Sequence, residues 1–221
     1  MMDLAALDEM EVESEVFDPL ERQRDEWMAK RSGRFTCSKF GDLIGEGRKK
    51  DQVFSEKGLR YLRLKVAERL GSWHSISARS MEWGTDNEAA AIRCYEARTG
   101  LQVASEPFQF IEVDDWIGGT PDGLVGDDGC IEVKCPFDPQ VHVNTALTRQ
   151  VPVEYVWQVL GHLLVTGRDW CDFVSYDPRI VDKAGLVVIR VDRDEKRIEF
   201  LRERLNLAVD QCKLMLKALG K

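Results

Sequence analysis

Thr120-Pro121-Asp122-Gly123, followed across a Gly126-Asp127-Asp128-Gly129 turn by Ile131-Glu132-Val133-Lys134-Cys135-Pro136, is the stretch that decides the fold of this chain. Alternation along a strand puts Glu132 and Lys134 on one face and Ile131 and Val133 on the other, toward a core. The turn folds the Asp122 segment back against that strand as a hairpin, so two carboxylates and an amine can converge. Two carboxylates offer hard oxygen ligands to Mg²⁺, and a lysine beside them can orient a water and help to deprotonate it. Phosphodiester hydrolysis requires these parts. Taken alone, the Glu-x-Lys triplet equally fits a solvated strand face, and Pro-Asp-Gly a plain turn. Only the combination, with apolar residues interleaved and a hairpin between, carries weight.

Upstream of this hairpin the pattern is helical. A short helix is expected over 19–30, then a turn through Ser32-Gly33-Arg34-Phe35, with Thr36 or Ser38 capping the next helix. Leu59, Leu62, Val66 and Leu70 recur at helical spacing and end at Gly71. A long helix is expected over 78–98, with Gly100 just beyond its end. Phe108, Phe110, Trp116 and Ile117 mark strands, and residues 118–123 read as turn-rich. Downstream, 130–135 is a strand stopped by Pro136, 153–165 is helical, and 170–176 and 186–191 are strands. A long helix starts at Glu195, and the Asp192–Glu195 charge run reads as its beginning. Helices, a compact sheet, then helix and strands describe an α/β domain with a mixed central β-sheet flanked by helices.

The 221 residues are enough for one domain with a sizeable core. No apolar run is long enough for a membrane span, and the acidic start resembles no targeting signal, so a cytoplasmic protein is the expectation. Six scattered cysteines without a CxxC pair and three distant histidines argue against zinc and for reduced thiols. The net charge of −8 speaks against a nucleic-acid partner until its distribution is considered. Residues 1–26 hold ten acids against Arg22 and Arg24, which accounts for the whole net charge and leaves 27–221 neutral. Residues 1–16 are therefore expected to be a partly disordered acidic lead, and 17–221 a single domain. His162 on an apolar helix reads as a packed histidine, and nothing assigns a task to Trp73-His74.

Ordered anchors along the chain make it similar to the bacteriophage lambda exonuclease, or YqaJ-type viral recombinase, family, whose fold is the restriction-endonuclease-like PD-(D/E)xK core. They are Arg31 with Gly33-Arg34-Phe35-Thr36-Cys37-Ser38, Trp83-Gly84 with Glu88, Pro121-Asp122-Gly123-Leu124, Glu132-Val133-Lys134-Cys135-Pro136-Phe137, Gln158, and Tyr176-Asp177-Pro178-Arg179. The resemblance runs from Trp27 to about Lys196. It implies a Mg²⁺-dependent 5′→3′ exodeoxyribonuclease, with Mn²⁺ as a possible substitute, that degrades one strand of linear double-stranded DNA. It further implies a homotrimeric ring and a single-strand annealing recombinase as partner. A ring would let a neutral chain retain DNA by topology.

Residue by residue, the resemblance assigns Asp122, Glu132 and Lys134 to metal binding and water activation, and Glu88 and Gln158 to the same site. Arg31, Ser38 and Thr120 match positions that hold the 5′-phosphate, with Thr120 where the family commonly has serine. Cys37 replaces the usual alanine and reads as packing. Met81 falls where the family places an apolar wedge between terminal base pairs, although methionine at helical spacing also fits a core. An endonuclease of the same fold, a catalytically silent DNA-binding or assembly protein, and an acidic interaction protein are the alternatives.

Overall fold

A computed structural model describes residues 19–48, 52–72, 79–106 and 108–221, leaving out the side chains of 79–82, 84 and 85. The acidic lead, Trp73-His74 and the side chain of Met81 thus lie outside the described residues. In chain order the elements are α1 (Pro19–Arg31), β1 (Phe35–Thr36), a 3-10 helix (Cys37–Leu43), α2 (Glu56–Arg69), α3 (Arg79–Thr99), β2 (Val103–Ala104), β3 (Ile111–Glu112), β4 (Ile117–Gly119), β5 (Gly123–Val125) and β6 (Gly129–Lys134). There follow α4 (Pro139–Thr148), α5 (Val153–Thr166), β7 (Trp170–Tyr176), a second 3-10 helix (Asp182–Gly185), β8 (Leu186–Asp192) and α6 (Glu195–Ala218).

The central sheet has the order β2-β5-β6-β7-β8, and a smaller sheet has the order β1-β4-β3. β6 and β7 run parallel, with Glu132 opposite Phe173 and Lys134 opposite Ser175, while the other neighbours in the central sheet are antiparallel. A parallel pair needs a long crossover, and α4 and α5 fill it. Both faces of β6 are covered, since Gly129–Val133 are all buried. Ile131 and Val133 pack with Ala91 and Tyr95 of α3. Cys130, on the opposite face, packs with the group formed by the first 3-10 helix, α2, α5 and α6.

Close approach of α5 to the 3-10 helix depends on Gly161, because a Cβ there would lie 2.6 Å from Phe40 Cδ2. Gly33 takes φ +72°, a left-handed turn conformation, between α1 and β1. Glu68 Oε2 accepts from its N–H (2.7 Å) and Arg69 Nε donates to its carbonyl (2.9 Å), so α2 fixes the turn that follows Arg31.

Most elements fall where the sequence places them, and four points differ. Thr36 stands at the N-cap of the 3-10 helix without a side-chain cap hydrogen bond, so neither it nor the exposed Ser38 acts as a cap. Phe108 adopts φ +61° and Phe110 also lies outside a strand; the nearest strand, β3, starts at Ile111. Ile117 is in a strand as expected, but Gly118 and Gly119 continue that strand, paired between β1 and β3, instead of forming a turn. Helix α4 was not expected, although Asp138 accepts from Gln140 N–H (2.9 Å) and Pro139 opens the helix, a start signal easily read as a break. The expected mixed central sheet is observed, with a small second sheet beside it.

Candidate active site

Glu132 is 0% exposed in the middle of the central sheet, where an unpartnered carboxylate would be strongly unfavourable. Three donors surround it. Oε1 accepts from Lys134 Nζ and from Gln158 Nε2 (2.6 Å), and Oε2 lies 2.6 Å from His162 Nε2. Lys134 comes from the same face of the same strand. Gln158 and His162 come from one stripe of α5, four residues apart. Burial works against charge on Glu132, but Lys134 and His162 outweigh it and hold the carboxyl down at about 2.

Asp122 precedes β5, and its position is set by backbone. Its N–H donates to the Ile131 carbonyl (3.1 Å), and its Oδ2 accepts from Val133 N–H (2.6 Å). The hairpin thus brings Asp122 back beside β6, as the turn residues require. Burial and the charge of Glu132 push Asp122 well above the usual carboxylate range, against the opposing effect of Lys134. Glu88, from α3, is raised for the same two reasons, burial first and Glu132 second. Lys134 is raised despite burial, because Glu132 and Asp122 face it, and its ammonium lies 5.2 Å from the centre of the Tyr155 ring.

Mutual repulsion between buried carboxylates is what a divalent cation relieves, so Asp122 and Glu132 fit Mg²⁺ as ligands. No three His, Cys, Asp or Glu side chains among the described residues close around one metal position. Mg²⁺ suits such a site, since it takes one or two protein carboxylates and completes its shell with water and substrate oxygens.

Asp122, Lys134, Glu88, Gln158 and His162 line a cleft of about 770 Å³ whose lining also includes Arg31, Ser38 and Thr120, and Glu132 lies buried behind it. At that end the Arg31 guanidinium lies 4.1 Å from the centre of the Trp27 ring, and Trp27 Nε1 donates to Thr120 Oγ1 (2.9 Å). Burial lowers the pKa of Arg31, and the guanidinium makes no ion pair among the described residues. Arg34, by contrast, is paired with Glu112 (3.0 Å).

Seven of the nine residues singled out from sequence therefore line one cleft, the eighth, Glu132, is buried behind it and bonded to Lys134 and Gln158, and the side chain of the ninth, Met81, lies outside the described residues. Two participants were missed. His162 was read as packed, and it is, but against Glu132. Trp27, beside Arg31, reaches Thr120 across 93 residues of chain, and only three-dimensional proximity reveals that. The Tyr176-Asp177-Pro178-Arg179 anchor has a local explanation. Arg179 donates to Asp177 and to the Pro136 and Phe137 carbonyls (3.3 and 3.1 Å), and lies 5.0 Å from the centre of the Trp83 ring. It ties the exit of β6 to α3.

Comparison with known proteins places this geometry. Residues 26–169 match the model of the YqaJ-like viral recombinase domain. An alkaline exonuclease (LHK-Exo) from Laribacter hongkongensis is 31% identical, with a TM-score of 0.79 over 89% of this chain and 96% of that one. The same exonuclease in complex with dAMP matches equally, over 88% and 95%. A phage-related exonuclease from Haemophilus somnus 129PT shares the fold at 19% identity, with a TM-score of 0.69 over 84% of this chain and 96% of that one. No curated protein matches the chain. No helix among the described residues is long and apolar enough to cross a membrane. A family model spanning most of the chain, and a relative of the same extent, establish that the chain belongs to the YqaJ-like viral recombinase family.

Proposed function

We propose that this chain is a Mg²⁺-dependent exodeoxyribonuclease that degrades one strand of linear duplex DNA 5′→3′ from a 5′-phosphorylated end. Its family and its alkaline-exonuclease relative make it a nuclease that acts on DNA. The finer reading rests on one observation: Asp122, with the buried Glu132 behind it, lines the same cleft as Arg31, which makes no ion pair among the described residues. A nuclease needs the first, and recognition of a strand end adds the second.

Asp122 and Glu132 would hold the cation, which when bound supplies Lewis acidity at the scissile phosphoryl group. The Val133 amide fixes Asp122, while Lys134, Gln158 and His162 fix Glu132, so little reorganisation is needed as charge develops. Lys134 directs its ammonium into the cleft, where it can position a water or a phosphoryl oxygen. Glu88 lies near enough to Glu132 to feel its charge and can take up a proton from the attacking water. Arg31, with Ser38 and Thr120, would receive the 5′-phosphate and so set which bond meets the metal. Met81, on α3, would be the wedge at the duplex end. Mn²⁺ is expected to replace Mg²⁺.

The family resemblance extends the proposal to a homotrimeric ring and an annealing recombinase partner that receives the 3′ single strand. A ring supplies a retention mechanism to a chain whose residues 27–221 carry no net charge. Incubation with linear and with circular duplex DNA, in Mg²⁺ or in EDTA, tests the reading. Mg²⁺-dependent loss of linear DNA alone is expected. Cleavage of circles would indicate an endonuclease, and no cleavage a binding protein.

A further inference from the structure

We propose that His162 is a positioning residue for Glu132, fixing the carboxylate so that a single acceptor direction, on Oε2, remains for the cation. The inference rests on the metal-dependent reading above. An ionised carboxylate offers about four acceptor directions, two on each oxygen. On Glu132, Oε1 takes Lys134 and Gln158, and Oε2 takes His162. Three are used and one is left. Because an ionised carboxylate only accepts, the His162 ring must present Nε2–H to it.

Burial makes this contact more than incidental. His162 is 1% exposed and Glu132 0%, so neither can exchange the other for water. The ring is held on α5 beside Gly161, where the helix packs tightly on the 3-10 helix. Lys134, by contrast, is 26% exposed and reaches the cleft, leaving it free to turn toward substrate. If Lys134 moves, only His162 and Gln158 still hold Glu132, and His162 alone grips Oε2. The carboxylate orientation should therefore depend on His162 more than on the lysine.

The test measures binding of Mn²⁺ to the protein without DNA, by electron paramagnetic resonance of free Mn²⁺. Glutamine carries an amide nitrogen to about the reach of Nε2, whereas asparagine and leucine do not. His162→Leu and His162→Asn should weaken Mn²⁺ binding by roughly 10- to 100-fold, the usual effect of losing an outer partner of a metal ligand. His162→Gln should stay within about threefold of the parent. Thermal unfolding identifies which variants are folded, and the Asn/Gln pair keeps the comparison sound if the leucine variant is not. Equal Mn²⁺ affinity in folded His162→Asn and the parent would overturn the positioning role. So would equal weakening in His162→Asn and His162→Gln, which would indicate packing alone. Glu132→Gln separates this inference from the reading beneath it. If Glu132→Gln loses Mn²⁺ while His162→Asn keeps it, only the role of His162 fails. If Glu132→Gln keeps Mn²⁺, both fail.

Discussion

The two ends of the cleft are built in opposite ways. At one end Asp122, Glu132 and Lys134 come from a single hairpin, with Gln158 and His162 added from one helix, and each carboxylate is held by donors inside the protein. At the other end Trp27 and Arg31 come from α1, Ser38 from the following 3-10 helix and Thr120 from the loop after β4, and the arginine stacks on tryptophan with no ion pair among the described residues. At the first end the two carboxylates are hydrogen-bonded before anything binds. The second is a cation held in position by an aromatic ring, with its charge uncompensated among the described residues. Such a difference suits a division of labour in which one end does chemistry and the other selects what enters.

The comparison can be broken first at the acidic end. Glu132→Gln and Asp122→Asn should each lower the rate at saturating Mg²⁺ by at least about 10³-fold, since both would remove a metal ligand. Circular dichroism should show the variants folded. A folded variant with near-parental rate would remove the proposed role of that end.

Arg31→Ala addresses the other end with a smaller effect. Losing one arginine–phosphate contact in a partly enclosed site should cost on the order of 2–4 kcal/mol, or roughly 30- to 1,000-fold. That loss should be confined to 5′-phosphorylated ends, while 5′-hydroxyl ends, which never make the contact, change little. Equal loss on both substrates would make Arg31 a residue of folding or general DNA binding.

Trp27→Phe sharpens the picture further, because it keeps a ring beside Arg31 and removes only the hydrogen bond to Thr120. A loss of about 1 kcal/mol, near fivefold in rate on phosphorylated ends, is expected. If the rate is unchanged, the orientation of Thr120 does not matter to end recognition.

The smallest effect concerns the clamp behind the acidic end. Arg179 lowers the pKa of Asp177 below the usual carboxylate range. A carboxyl lowered on folding contributes stability that is fully present above its unfolded pKa, about 3.9, and is lost as pH falls through the folded value. Asp177→Asn should therefore lower Tm by a few degrees at pH 6, and the difference should shrink as pH falls through the folded value of Asp177. A constant difference at all pH values would mean that packing, not charge, holds the clamp.

The same contrast explains how much could be read in the sequence. The acidic end was legible because its geometry is local: a two-residue alternation and a four-residue turn bring Asp122, Glu132 and Lys134 together. The long elements were legible for a similar reason, as their apolar periods and stops at Gly71 and Gly100 are written in the chain itself. Two-residue strands such as β2 and β3 hold too little periodicity to be seen. Trp27 and His162 escaped because each acts through one contact with a distant residue, and a tryptophan or histidine on a helix looks the same with or without it. Arg31, Ser38 and Thr120 were assigned only through family resemblance, which substituted for long-range geometry that spacing cannot supply.

The most direct measurement uses one linear duplex with a 5′-phosphate on one end and a 5′-hydroxyl on the other, each 5′ strand carrying a different label. In Mg²⁺, the phosphorylated strand should be consumed first, from its 5′ end, leaving its complement intact as a 3′ overhang, and EDTA should stop the reaction. Equal consumption from both ends, or loss beginning at a 3′ end, would contradict an account in which Arg31 selects the strand that Asp122 and Glu132 cut.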